Sequence, residues 1–522
     1  MNWLEVKPHE RLKPHRSPMG SSQIALIFVL AVGLFLAVYF GLLIGQGERQ
    51  KTYLLLLLIV AFPVLLVFGS NYWVPIPFAI NCGLPAIPIV AGRSMELGEA
   101  WVMACAVAML LRMPLSSRRI VLLRMFTVPV YLYAAWALLV FKMNPVGLAI
   151  LGSSNVGFRF YMKIGLAFIS FFIIMNQDLT EKRCKWLIFL IIAAGVAYMA
   201  YAIPMAILGY RASVEEGASE TFYTWHQMLI VLPMPLLVFI FSKWSVGEIF
   251  AHARIRLIPL IGICYAMILF SGKRRALAVA LLYPAFGYIA RRKYSQVFFV
   301  SALGAIALAT IAFSQGRIVN FPLTVQRAVA FVPGNWAPEV RRSADNIFRE
   351  TLNELALDAI RERPWISHGY GLSSSSVRNF EALAGRLTQQ HYAAYLAAAS
   401  SSWHNTWLGI SADFGIPAAV IFALFLIMLL RTSWWVIRRT ELRSYSNILA
   451  TMIFIFTMES VLGSWVGGHS AYAYWNSCWM FGIVAGLRIR IEDEAAARGG
   501  VKLPPKSLAA GRAQPPAPMA VR

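Results

Sequence analysis

The chain is a succession of long apolar runs separated by short polar turns. Runs at 24–45, 52–69, 74–90, 98–111, 120–141, 158–176, 185–209, 224–242, 254–270, 274–290, 296–314, 404–430, 446–466 and 472–487 are each read as a membrane span. Most hold 17 residues or more, enough to cross a hydrocarbon core about 30 Å thick. The predicted fold is an all-α polytopic membrane protein of about 12–14 transmembrane helices. The run 74–90 is the weakest, because Pro75, Pro77, Pro85 and Pro88 interrupt it and favour a broken or re-entrant segment.

One long polar stretch, 315–403, separates the last three runs from the rest. Within it Phe348, Leu352, Leu355 and Ala359 recur at helical spacing, so 343–362 reads as an amphipathic helix with Ser343 as cap and Pro364 as stop. The Ala- and Ser-rich run 388–402 reads as a second short helix. Gly369-Tyr370-Gly371 and the serines after it form a turn, too weak a pattern by itself for a phosphate loop. The expected organisation is a basic tail at 1–23, spans over 24–314, a mainly helical domain at 315–403, closing spans over 404–487 and a tail at 488–522.

Composition agrees with the hydropathy. The chain is 59% hydrophobic and 14% charged, against about 25% charged in soluble domains, which excludes a soluble protein. The net charge of +23 comes with no nucleic-acid-binding motif. It is instead what Lys- and Arg-rich cytoplasmic loops produce. Positive charge falls in alternate loops, at Arg118–Arg119, Lys182–Arg183, Arg254–Arg256, Arg291–Lys293 and Arg431–Arg443. That pattern predicts cytoplasmic ends and an extracytoplasmic 315–403. The first run is too long for a signal-peptide core. Cys82, Cys105, Cys184, Cys264 and Cys478 show no paired spacing, so neither a metal site nor a disulfide framework is expected.

Two positive sites break the alternation on the outer side, Arg211 and the trio Lys273, Arg274 and Arg275. The domain at 315–403 carries nine arginines, Arg341 and Arg342 among them, and no lysine. Arginine holds phosphate and carboxylate with a two-pronged fork, so these positions point to an anionic ligand at the outer face. Carboxylate pairing accounts for some of them. Where the polar domain returns to the membrane stands His404, followed by Asn405, Leu408, Asp413 and Gly415. An imidazole accepts a proton near neutral pH. Asp413, just over two turns on, either orients it or supports the fold, and support is preferred.

These residues resemble the superfamily of O-antigen ligases and O-antigen polymerases. The pattern His-Asn-x-x-Leu with a following acid and glycine is similar to His404, Asn405, Leu408, Asp413 and Gly415. The family's Arg-led helix ending in Pro and Gly-x-Gly is similar to Arg341 or Arg342, then Pro364, Gly369 and Gly371. Its Ser-x-Arg element is similar to Ser271, Lys273 and Arg274. The likeness covers about 204–430. It departs around Trp225, His226 and Gln227, where the family has Pro-Asn, and in the long tail.

The resemblance implies a glycosyltransferase of the GT-C kind in the bacterial inner membrane. It would move a glycan from a polyprenyl (undecaprenyl) diphosphate carrier onto a hydroxyl of another glycan, of lipid A–core or of another acceptor. It implies His404 as general base, Arg211, Lys273, Arg274, Arg341 and Arg342 around the diphosphate, and Asn405, Asp413, Gly369 and Gly371 in support. It implies inversion at the anomeric carbon, no metal and no cofactor. Ligase and polymerase stay open. A rival from another class is a non-catalytic transporter or flippase, which predicts paired charges within spans and internal repeats. A sensor or scaffold is a further one.

Overall fold

The computed structural model describes residues 71–83, 87–90, 93–112, 121, 123–144, 158–216, 229–250, 255–342, 347–370, 389–399, 401–465 and 470–497. The chain divides into two compact units, 1–63 with 88–94, and 64–87 with 95–522. In the first, the described residues are 88–90 and 93–94, which belong to the short strands Ile87–Val90 and Arg93–Met95. The runs 24–45 and 52–69 lie outside the described residues, as do Gly371, Ser343, the serines at 373–376 and His469.

The larger unit is helical, and its apolar helices make the chain an all-α polytopic membrane protein. Among the described residues, five helices are long and apolar enough to span a bilayer: Met125–Met143, Glu181–Ile203, Tyr294–Ser314, Ile416–Arg439 and Tyr445–Gly463. In chain order the elements used below are α1 (Val128–Met143), α2 (Phe158–Met175), α3 (Glu181–Glu216), α4 (Pro233–Lys243), α5 (Leu257–Phe270), α6 (Arg274–Ala290) and α7 (Tyr294–Ser314). There follow α8 (Leu323–Val329), α9 (Ile347–Glu362), α10 (Gln389–Ala399), α11 (Thr406–Phe414), α12 (Ile416–Arg439), α13 (Tyr445–Gly463) and α14 (Ser470–Ala497).

The bundle closes around α12, which packs on α1, α13 and α14, while α14 lies along α2. Its centre is an aromatic column. Tyr133 stacks on Tyr474 with ring centroids 4.4 Å apart, and Phe425, Phe481 and Phe171 continue the column along α12, α14 and α2. Each such pair contributes about 0.5–1.5 kcal/mol beyond its packing area. A second layer, α4, α5, α6 and α13, flanks the column, with α7 packed on α6.

Two readings need correction. The run 74–90 is not a span. It holds the six-residue helix Ile76–Asn81 and ends in the strand Ile87–Val90. Pro75 caps that helix and Pro77 sits in its first turn, so the prolines start a helix and then stop it from growing. Six residues rise about 9 Å, far short of the bilayer. The run 404–430 is two helices, α11 and α12, joined at Gly415.

Gly415 has φ +90° and ψ 164°, backbone that essentially only glycine adopts. A Cβ there would collide with the Trp365 carbonyl. Around it the last carbonyls of α11, which have no partner inside the helix, are satisfied from outside. Ser367 Oγ donates to Ala412, Gly369 N to Asp413 at 2.9 Å, and Trp136 Nε1 to Phe414 at 2.9 Å. Ile416 N donates to Pro364. Replacing Gly415 with alanine is therefore expected to cost at least about 1–3 kcal/mol, read as a lower midpoint of thermal unfolding in detergent.

Candidate active site

Residues 364–370 form a strap that seats the polar segment on the bundle. Asn144, at the end of α1, donates to the Ser367 carbonyl at 2.8 Å and accepts from Arg363 at 3.3 Å. Tyr370 is buried against Phe160, Tyr161 and Phe414. Gly369, at φ +81°, lies against the Tyr161 hydroxyl, where a side chain would not fit. Beyond the strap, α9, α10 and α11 make a small core of Leu352, Ala356, Ala394, Ala398, Trp403 and Ala412. The heptad-like apolar face of α9 is the face that packs.

That core fixes His404. Asn405 is the N-cap of α11, its Oδ1 accepting from Trp407 N at 3.0 Å and Leu408 N at 3.2 Å. His404 therefore stands just outside the positive end of a helix, which disfavours imidazolium. Its ring meets Phe348 edge to face, centroids 5.2 Å apart. By surface area the residue is exposed, but the surrounding protein is dense. Burial, and then the Arg349 guanidinium, hold its pKa below the usual imidazole value. Among the described residues its ring nitrogens have no hydrogen-bond partner. His368, by contrast, is engaged by Glu362 at 3.5 Å.

Asp413 does not reach His404. It is buried and accepts from Trp403 Nε1 at 2.9 Å, so it locks the residue before His404 and not the imidazole itself. The two residues are not on one helix face, because His404 precedes the cap and α11 ends at Phe414.

The cationic turn before α6 meets α8 and one end of α13. Ser271 Oγ donates to Ile268 at 2.6 Å and accepts from Lys273 N at 3.3 Å, which tightens the turn that launches α6. Lys273 is partly buried, and burial, then Arg275, lower its pKa. Arg274 and Arg275 point differently. Arg274 Nε donates to the Arg327 carbonyl on α8 at 3.1 Å, and its charge lies within reach of Arg349 and Arg327. Arg275 lies over Gly463 of α13 and within reach of Glu459, which accepts from Tyr283 at 2.6 Å. The residue after Gly463, Ser464, accepts from Thr406 N at 2.8 Å. One end of α13 thus joins the turn at 273–275 to the start of α11.

The outcome is a cluster of like charge. Arg349 neighbours both Arg274 and His404, and Arg327 completes it with a buried Nε that has no hydrogen-bond partner among the described residues. Among the described residues no ion pair joins Arg274, Arg327 or Arg349 to a carboxylate. Three guanidiniums together without acid are unfavourable unless an anion sits among them.

Arg349 and Arg327 were not singled out from the sequence. The available signal was that Arg349 follows Phe348 on the packing helix. The other expected positions are less informative. Arg211 lies on α3 and not in a loop, because that helix continues to Glu216. Arg341 and Arg342 end the helix Pro338–Arg342. The side chains of all three lie outside the described residues.

Residues 257–423 match the family model described as O-antigen ligase, about a third of the chain. The match runs from α5 into α12 and so contains Lys273, Arg274, Arg327, Arg349 and His404. No curated protein matches the chain.

Proposed function

We propose that this chain, whose residues 257–423 match the O-antigen ligase family model, transfers a glycan from a polyprenyl diphosphate to an acceptor hydroxyl at the outer face of the inner membrane. The observation that carries the proposal is the juxtaposition of His404, whose ring nitrogens have no partner among the described residues, and the cluster Arg274, Arg327 and Arg349, which no ion pair joins to a carboxylate among the described residues. His404 takes the proton of the acceptor hydroxyl as its oxygen bonds to the anomeric carbon. The bond from that carbon to the diphosphate oxygen breaks, and the polyprenyl diphosphate leaves with the electron pair. Attack opposite the leaving group inverts the anomeric centre. The developing negative charge falls among fixed guanidiniums, which need not reorganise during the reaction. Lys273, Arg211, Arg341 and Arg342 are further cations for the glycan-diphosphate head. Asn405, Asp413, Gly369 and Gly371 hold the scaffold around it.

The test uses purified protein in nanodiscs, a polyprenyl diphosphate oligosaccharide, and lipid A–core and free glycan as competing acceptors. Extension of one acceptor supports the transferase and separates ligase from polymerase. Donor binding without extension of either acceptor sinks it.

A second reading, passage of a lipid-linked glycan without chemistry, draws on one feature. Lys163 is buried on α2 and pairs with Glu96 at 2.8 Å and Glu99 at 3.6 Å, and buried ion pairs in membrane helices accompany transport. The cluster is tied further by Tyr472, which donates to Glu96 at 2.6 Å. Such multiple bonding suits a fixed anchor between α2 and α14 better than a moving gate.

A further inference from the structure

The far ends of α6 and α12 carry a second group of cations, away from the candidate active site. Along α6 the distance from the turn at 273–275 to Ala290 is about 25 Å at the helical rise. Arg291, Arg292 and Lys293 follow α6, and Arg438 stands in the last turn of α12. Both loops are among those whose charge reads as cytoplasmic. That bias accounts for cations in water, not for buried ones. Arg291 is 7% exposed, and its Nε has no hydrogen-bond partner among the described residues. The same holds for the buried Nε and Nη2 of Arg438. Among the described residues no ion pair joins Arg291, Arg292, Lys293 or Arg438 to a carboxylate. The next loop shows the contrast, since Arg443 pairs with Glu248.

The backbone brings these charges together. α6 ends in a Schellman turn, in which Arg292 N donates to Ile289 at 3.0 Å and Lys293 N to Tyr288 at 2.9 Å. The left-handed position of that turn, where glycine is usual, is held by Arg292 at φ +57°. The Arg438 charge lies within reach of Arg292 and Tyr294. Its guanidinium stands 4.2 Å from the centroid of the Trp434 ring, and Trp434 packs on Phe454 of α13. The ring fixes the fork in place but supplies no counter-charge. Partly desolvated guanidiniums beside one another are unfavourable until an anion joins them.

We infer that this corner binds the phosphate of an anionic glycerophospholipid from the adjoining leaflet, gripped between Arg292 and Arg438, with Arg291 and Lys293 adding charge. The inference is independent of the transferase reading. Two features favour a lipid over a free phosphate. The cations stand at the ends of membrane helices, at the level of a bilayer's head groups. Tyr294 and Phe298, at the start of α7, are exposed beside them and offer apolar contact to a glycerol backbone and acyl chains. A free anion gains nothing from those side chains. The bound head group supplies the missing counter-charge and ties the turn between α6 and α7 to the end of α12.

The test strips full-length protein of lipid by detergent exchange and follows its midpoint of thermal unfolding. The additives are phosphatidylglycerol, phosphatidylcholine with the same acyl chains, inorganic phosphate and pyrophosphate. Phosphatidylglycerol is expected to raise the wild-type midpoint, and the other three are not. Arg438→Gln and Arg292→Gly are expected to need about ten-fold more phosphatidylglycerol for the same shift, the size of one charge-assisted hydrogen bond. Glycine suits the left-handed backbone at 292, so that variant removes charge without adding strain. The readout is the shift added by lipid, which a change in basal stability does not imitate. Arg431→Gln, at an exposed position on α12, is expected to respond as wild type does. No shift from phosphatidylglycerol in wild type overturns the proposal. An equal shift from pyrophosphate also overturns it, by giving the corner to a soluble anion. An equal weakening in Arg431→Gln, or none in the other two variants, reduces the effect to diffuse surface attraction and removes the site.

Discussion

His404→Ala is expected to lower the transfer rate about 10²–10⁴-fold, the usual contribution of a positioned general base, without loss of donor binding. The separation follows from the geometry. In the proposed mechanism donor affinity comes from cations on α6, α8 and α9, whereas His404 stands on the chain entering α11 and touches Phe348. The variant should also fold, since the cap of α11 is Asn405 and the packed indole is Trp403. The pH profile adds a sign. A general base works when deprotonated, and burial together with Arg349 lowers the pKa of His404. Wild-type rates should therefore hold as pH falls through about 6.5, the ordinary imidazole value, and drop only below it. Removing the Arg349 charge should move that acidic limb upward, toward 6.5. Initial rates against pH for wild type, His404→Ala and Arg349→Ala check this. A wild-type limb above 6.5, or full activity in His404→Ala, would remove His404 from the reaction.

What the sequence disclosed follows from the range of the forces involved. A membrane span is a local property, so hydropathy found most of the helices without any tertiary contact. The amphipathic face of α9 was legible for the same reason, because period 3.6 is written in consecutive residues. The break at Gly415 was not, since an apolar run continues through it. Only the Trp365 carbonyl, fifty residues earlier, shows why the chain must turn there. The prolines of 74–90 carried the correct warning, although the charge alternation counts that run as a crossing. That alternation is a statistical bias over loops, whereas proline acts on the backbone it occupies. The cationic site was half legible. A charged trio at 273–275 stood out against the topology, but which arginine faces the ligand depends on Glu459 and Gly463 in α13. Likewise Arg349 sits in an ordinary mix of charges in the sequence, and only the fold of α9 brings it beside His404.

Arg274→Ala is expected to lower kcat about 10²–10³-fold, comparable to removing one preorganised donor to a developing oxyanion. The neighbouring Arg275→Ala should behave differently. Its guanidinium lies among Gly463 and Glu459, so its loss leaves a carboxylate inside the bundle with less compensation, and thermal stability falls before turnover does. Arg274→Lys keeps the charge but not the planar fork, so it recovers only part of the rate. The decisive measurement is the double variant Arg274→Ala with Arg349→Ala. If both guanidiniums grip one diphosphate, the two losses are not additive, because the second removal acts on an anion already poorly held. Strict additivity would place the two arginines on separate ligands. The like-charge cluster of Arg274, Arg327 and Arg349 would then owe its existence to something other than the leaving group. Repulsion itself offers a further sign within the same experiment. With no donor bound, removing Arg349 relieves Arg274 of a like charge, so Arg349→Ala should raise the midpoint of thermal unfolding while it slows transfer. A group that destabilises the empty protein and accelerates the reaction is what a site built for an anionic transition state requires.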